Sequence, residues 1–183
     1  MTFDEIKALF EARGGCQYSG EPVTQLEHAL QSAQFAEVAG ASDELITACL
    51  LHDVGHMAND QGETPTLRGV DDRHQFHGVN ALKRLFGPAV LTPIRLHVDA
   101  KRYLCRANED YWARLSEDSK RSLELQGGVF DPDQAAAFLR LPGARDAVLL
   151  RQWDDLGKQA DWRTPSLAHF MGRAARCAGR VTA

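Results

Sequence analysis

The sequence predicts an all-α protein, and three observations carry that prediction. Helix-start signatures recur along the whole chain, the apolar residues between them repeat at helical spacing, and no segment shows the alternation of a strand. The 183 residues suit a single domain, spanning 1–183, with one sizeable core.

Thr2-Phe3-Asp4-Glu5 is a capping box, in which hydroxyl and carboxylate satisfy each other's backbone N–H, and it opens a short helix that Gly14-Gly15 ends. Thr24-Gln25-Leu26-Glu27 is a second one. An apolar rhythm follows it through Leu30, Ala33, Phe35, Ala36 and Val38 to Gly40. Ser42-Asp43 starts a third helix through Leu45, Ile46, Leu50 and Leu51, closing near Gly55. Met57 to Asp72 is polar, holds Gly62, Pro65 and Gly69, and reads as a loop long enough to carry function. A helix from about His74 to Phe86 stops at Gly87, and Pro88 to Lys101 is the next, with an irregularity expected at Pro93. Ser116 to Gln126 is helical up to Gly127-Gly128. Asp131-Pro132 provides an N-cap and a first-turn proline for Gln134 to Leu141. Pro142-Gly143 precedes a long helix from Ala144 to about Trp162, and Thr164-Pro165 opens a last one to about Cys177.

Composition narrows the function classes. At 44% hydrophobic and 25% charged the chain is ordinary globular protein, and its net charge of −4 supplies no field to attract nucleic acid or an anionic membrane. The first 15 residues are acidic and amphipathic rather than signal-like, and no apolar run approaches a membrane span. A cytoplasmic location is expected. Cys16, Cys49, Cys105 and Cys177 are scattered without a Cys-x-x-Cys pair, which points to buried small hydrophobes rather than disulfides or a zinc ribbon.

The chemistry concentrates in Leu50-Leu51-His52-Asp53-Val54-Gly55-His56. A His-Asp pair at the end of an apolar helix brings one imidazole and one carboxylate to a common point, and the two oxygens of Asp53 can bridge two cations. His28, His74 and His97 sit on other helices, and a bundle can aim such side chains at one interior point.

The order His28, His52-Asp53 and a late Asp154 resembles the H…HD…D signature of the HD superfamily, so an HD-domain helical bundle is expected. His74 and His97 match the extra ligands of its dinuclear members. Tyr18-Ser19-Gly20-Glu21, Gln25-Leu26-Glu27-His28, Ala100 to Leu104, Leu125 to Gly128 and Arg151 to Asp155 resemble the phosphonate-degrading branch, mixed-valent di-iron oxygenases distantly related to myo-inositol oxygenase. The resemblance implies one iron on His28, His52, Asp53 and Asp154, and a second on Asp53, His74 and His97 with an open coordination face. The cofactors it implies are two Fe ions in the Fe(II)/Fe(III) state, with O2 as co-substrate. The implied reaction cleaves the C–P bond of a 1-hydroxy-2-aminoalkylphosphonate: 2-amino-1-hydroxyethylphosphonate to glycine and phosphate, or the N-trimethylated analogue to glycine betaine and phosphate. A 2-oxoglutarate-dependent hydroxylase is the implied functional partner.

The resemblance also assigns the substrate contacts. Tyr18 caps the second iron until substrate displaces it, Glu21 meets the amino end, and His56 touches substrate or a bound oxygen species. Lys101, Ser119 and Arg151 supply donors to the phosphonate, although Arg151 is equally an i+4 partner for Asp155. A trimethylammonium would need an aromatic cage, for which Trp112, Trp153, Tyr103 and Tyr111 are available. His77 reads as a supporting or surface residue and His169 as structural. Two rival readings share the primary ligands: an HD phosphohydrolase using metal-activated water, disfavoured by Tyr18, Glu21 and the second histidine pair, and a non-catalytic sensor, disfavoured by the complete ligand set.

Overall fold

Two helices that are apolar on most of their surface set the architecture, and the others are arranged around them. In this computed structural model, which describes residues 1–18, 20–59 and 65–179, the helices are α1 Phe3–Arg13, α2 Gln25–Val38, α3 Asp43–Leu51, α4 Val54–Ala58, α5 His74–Leu82 and α6 Pro88–Ala107. They continue with α7 Glu109–Arg114, α8 Glu117–Leu125, α9 Pro132–Leu139, α10 Ala144–Leu156 and α11 Leu167–Cys177. Among the described residues there is no strand, only an isolated antiparallel bridge between Gln17 and Thr24. The fold is all-α.

Every residue of α3 from Leu45 to Leu51 is buried, as in a helix enclosed by others. It packs between α2, α6 and α11. The 20-residue α6 is the second axis, touching α3, α5, α7, α9 and α10. The main core joins Ile6 and Phe10 of α1 to Ile46, Leu50, Leu82, Ile94, Leu150 and Phe170. Smaller clusters form under α9 (Leu96, Phe130, Phe138) and α7 (Leu104, Tyr111, Leu115, Leu123). Polar contacts fasten α11: Asp43 accepts from Arg173 Nη1 and Arg176 Nε, each at 2.7 Å, and Glu37 accepts from His169 at 2.8 Å and pairs with Arg173.

The three expected capping motifs at Thr2, Thr24 and Asp131 form as read. Several helix ends differ. The helix through Pro93 does not stop at Lys101 but runs to Ala107, because Leu104 and Cys105 extend its buried face onto the α7 cluster. Helix α7 itself was not expected. Asn108 both ends α6 and caps α7, taking the Asp110 N–H on its side chain. The helix expected to reach Trp162 ends at Leu156, because residues 157–159 are strapped to α2 instead. Ser166, not Thr164, caps α11. The helix expected to close near Gly55 breaks at His52-Asp53 and resumes as α4, and α5 ends four residues short of Phe86. The expected loop holds the end of α4 and a 3-10 turn at Pro65–Arg68; its residues 60–64, like Ser19, lie outside the described residues. Cys49, Cys105 and Cys177 are buried, but Cys16 is exposed in the turn after α1; all four are free thiols. Among the described residues no helix is long and apolar enough to cross a membrane.

Candidate metal centre

Where α3 gives way to α4 the chain turns at His52 and Asp53, projecting an imidazole and a carboxylate into the space bounded by α2, α5, α6 and α10. The break needs room for α5 to approach closely. A Cβ on Gly55 would lie 1.9 Å from the His74 carbonyl oxygen, so only glycine lets α4 and α5 meet there.

The four candidate imidazoles are oriented in one way. His28 Nδ1 lies 2.8 Å from the Gly157 carbonyl, His52 Nδ1 2.8 Å from that of Cys49, and His97 Nδ1 2.7 Å from that of Ile94. His74 Nδ1 lies 2.9 Å from Asp72 Oδ1. These oxygens can only accept, so each Nδ1 carries the proton and each Nε2 turns a lone pair inward. The lone pairs face each other in two couples, His28 with His52 at 3.2 Å and His74 with His97 at 2.9 Å. Paired acceptors this close repel unless a cation lies between them.

Asp53 divides its oxygens between the couples. Oδ2 lies 3.5 Å from His28 Nε2 and 3.3 Å from His52 Nε2, whereas Oδ1 lies 3.4 Å from His74 Nε2 and 3.6 Å from His97 Nε2. Asp154 completes the first group, with Oδ1 3.5 Å from His28 Nε2. Asp53 Oδ1 and Asp154 Oδ1 are buried without a hydrogen-bond partner. A buried carboxylate oxygen left this way costs at least 1–3 kcal/mol, which a bound cation removes. The residues present therefore fit metal ions: two histidines and two carboxylates at one position, two histidines and the shared carboxylate at the other.

Electrostatics favour the same state. Burial would raise the pKa of Asp53, but the His52 and His56 imidazoles hold it well below the usual carboxylate range. Burial, reinforced by His74 and His52, keeps His97 neutral, and burial with His56 depresses His74. Burial would also lower the pKa of His52, but Asp53 and then Asp154 outweigh it and raise it, so it is the His74 and His97 couple that burial holds neutral beside an ionised Asp53, the forms that ligate.

The remaining site candidates line one cavity with these groups. Tyr18, in the turn before α2 where Gly20 adopts a positive φ of 70°, stacks on His28 and donates to Asp53 Oδ2 at 2.8 Å. Burial and then the Asp53 and Asp154 charges push its pKa well above that of an ordinary phenol, so the proton stays on Tyr18. His56 stacks on His74, with Nδ1 2.5 Å from Asp72 Oδ2 and Nε2 3.8 Å from Asp53 Oδ1. Burial would lower its pKa, but Asp53 and Asp72 outweigh burial and raise it to about 9. His56 thus lies within ligand reach of the second position but faces it as a cation, whereas His97 faces it with a lone pair.

Lys101 is buried on α6, with Nζ 2.7 Å from Ser122 Oγ and 3.5 Å from the Ser119 carbonyl. Burial, then Arg151, lower its pKa to about 7. Arg151 also lines the cavity, but its guanidinium is engaged by Asp154 Oδ2 at 2.7 Å, by Tyr111 Oη at 3.1 Å and by Asp155. The i+4 pairing with Asp155 is present, and Arg151 is tied as well to Asp154, a candidate ligand carboxylate. Ser119 sits on the wall with Glu21 and Lys158.

Other expectations fall differently. Trp112 is exposed, Trp153 packs on the main core, and Tyr103 and Tyr111 belong to the clusters beyond α6. None of the four lines the cavity, whose described wall holds Tyr18 as its one phenyl-type ring. His77 is exposed and His169 serves the α11 contacts. Sequence reasoning missed Asp72, although a carboxylate two residues before a candidate ligand is a usable signal. It also missed Lys158, which nothing in the local pattern marks.

Comparison with known proteins places this geometry. Residues 26–126 match the HD domain. The chain is 43% identical over 177 residues to a hydroxymethylphosphonate dioxygenase of Gimesia maris, covering 95% of this chain and 88% of the relative. It is 41% identical over 165 residues to the glycine-betaine-forming 1-hydroxy-2-(trimethylamino)ethylphosphonate dioxygenase of Leisingera caerulea, covering 90% and 84%. Its motif order, its opposed imidazole couples and these likenesses agree: the chain belongs to the HD-domain family, within the group that includes the hydroxyalkylphosphonate dioxygenases.

Proposed function

We propose that the protein is a di-iron oxygenase that uses O2 to cleave the C–P bond of a 1-hydroxyphosphonate, giving a carboxylate and phosphate. The observation that carries this reading is Asp53, whose two oxygens address separate histidine couples and so build two metal positions rather than one. The stoichiometry balances: R–CH(OH)–PO3²⁻ and O2 give R–COO⁻, HPO4²⁻ and a proton. Two irons, mixed-valent Fe(II)/Fe(III), would be held by His28, His52, Asp53 and Asp154 and by Asp53, His74 and His97, and would supply oxygen activation and the redox steps.

The chain does the rest. Lys101 is a buried ammonium whose partners are a hydroxyl and a carbonyl, so its charge is available to a phosphonate oxygen. Ser119 and Ser122 add hydroxyls beside it. Arg151 holds Asp154 in place and adds positive potential to the same wall. His56, cationic and fixed by Asp72, presents its Nε2–H toward the reacting end. Tyr18 keeps its proton on Asp53 until substrate enters, and a turn residue can withdraw without unfolding a helix. Glu21 lines the same cavity. A 2-oxoglutarate-dependent hydroxylase acting on the parent phosphonate would supply the substrate. The free thiols accord with a reducing cytoplasm.

The test is anaerobic loading with ferrous iron, then addition of O2 with hydroxymethylphosphonate or 2-amino-1-hydroxyethylphosphonate. One phosphate released per O2 consumed is expected, with an exchange-coupled iron EPR signal perturbed by substrate. Oxygen-independent hydrolysis of a phosphate ester, with one metal bound per chain, would replace this reading by a hydrolytic one.

A further inference from the structure

Among the groups lining the cavity is an ion pair that the chemistry above does not use. Lys158 Nζ is 3.0 Å from Glu21 Oε1 and 3.4 Å from Ser119 Oγ, and it lies 5.7 Å from the centre of the Tyr18 ring. Both side chains are largely buried, at 13% and 10% exposure, so the pair is weakly screened.

Lys158 is held there by its backbone. Gly157 gives its carbonyl to His28 Nδ1, and Gln159 exchanges two hydrogen bonds with Gln31: its N–H donates to Oε1 at 3.0 Å and its carbonyl accepts from Nε2 at 2.9 Å. Between these two anchors on α2, Lys158 has only its side chain free to move. The other carboxylates of the described wall have partners too. Asp53 accepts from Tyr18 and Asp154 from Arg151, and Asp72 holds His56 and His74. Asp118 takes Thr66 and Arg121, and the half-buried Asp71 accepts the Arg73 amide.

We propose that Lys158 sets the charge of the substrate: by neutralising Glu21 from within the chain, it makes the cavity select 1-hydroxyphosphonates whose remaining substituent carries no ammonium. The proposal rests on the phosphonate reading above and names its substrate class. An ammonium directed at Glu21 must approach or expel a like charge 3.0 Å from that carboxylate, and an expelled Lys158 also loses Ser119. The absence of an aromatic cage from the described wall acts in the same direction, since a quaternary ammonium has no N–H and depends on ring faces. The cavity is small, about 50 Å³, which suits a short substituent.

The test uses two non-hydroxylated probes of matched size, propylphosphonate and 2-aminoethylphosphonate, titrated calorimetrically into the iron-loaded protein without O2. The wild type is expected to bind propylphosphonate at least 10-fold more tightly. Lys158→Met uncovers a buried carboxylate and is expected to move the affinity ratio at least 10-fold toward the aminated probe, while Lys158→Arg keeps the wild-type ratio. A wild type that prefers 2-aminoethylphosphonate overturns the proposal, and that measurement stands even if Lys158→Met does not fold. A folded Lys158→Met with an unchanged ratio overturns it as well. If neither probe binds and hydroxymethylphosphonate drives no O2 uptake, the phosphonate reading itself falls. Turnover of hydroxymethylphosphonate with an unshifted ratio sinks the selectivity claim alone.

Discussion

Replacing Lys101 with Met should stabilise the protein while disabling it. The side chain is 3% exposed and lacks a carboxylate partner among the described residues, and its pKa falls from 10.5 to about 7. At about 1.4 kcal/mol per pKa unit, holding the ammonium in the fold below pH 7 costs on the order of 5 kcal/mol. Methionine fills similar volume and leaves the Ser122 hydroxyl donating to the Ser119 carbonyl at 3.1 Å, so neither group is stranded and a net gain of about 3–5 kcal/mol is expected at pH 6. For a chain of this length each kcal/mol is worth about 2–4 °C in melting temperature. The sign of the pH dependence follows from linkage. Between pH 7 and 10.5 the unfolded chain binds one more proton at this lysine than the folded chain, so wild-type stability recovers as pH rises and the advantage of the variant shrinks. The assay is thermal melting of both proteins, stripped of metal with chelator, from pH 6 to 9. In parallel, the variant's KM for the phosphonate should rise on the order of 100-fold, since a charge-assisted contact of about 2–3 kcal/mol is lost. A variant that melts lower than wild type at pH 6, or a gap that does not change with pH, would refute the argument that this lysine is a buried charge kept for an anion.

Three further outcomes are expected. Gly55→Ala places a methyl against the His74 backbone and should cost about 2–3 kcal/mol in denaturant unfolding; wild-type stability would show that the α4–α5 approach is looser than described. Asp72→Asn loses the carboxylate that fixes His56 and His74, so metal titration should show the second equivalent weakened about 10–100-fold with the first retained; equal loss of both would count against this role. Asp43, lowered to about 2 by Arg176 and Arg173, contributes stability that is complete above pH 4 and disappears as pH falls through 2. After discounting for its partial exposure, Asp43→Asn should cost about 1 kcal/mol at pH 7, with the two proteins converging in acid; a constant difference would point away from the ion pairs.

The fold class and most helix starts were legible because capping is local: Thr2, Thr24, Ser42, Ser116 and Asp131 each cap within three residues. Helix ends were less so. Leu156 and Ala107 mark the ends of their helices because of what distant residues do, namely His28 and Gln31 taking the chain after α10, and α7 folding over Leu104. The His52-Asp53 pair could be read from its own neighbourhood, but Asp154 could be recognised only by resemblance, since nothing near it distinguishes it from Asp155. Lys158 shows the limit most clearly. Its partner Glu21 lies at the opposite end of the chain and is brought near only when α2 and α10 pack.

The candidate metal ligands come from α2, the α3–α4 turn, α5, α6 and α10, so no fragment of the molecule owns the centre. Loaded cations would act as tertiary cross-links drawing five segments together, with their binding energy added to the stability of the native state alone. Iron supply would then govern lifetime as well as turnover: a starved cell would hold a more easily opened chain, exposed to proteolysis before it is merely idle.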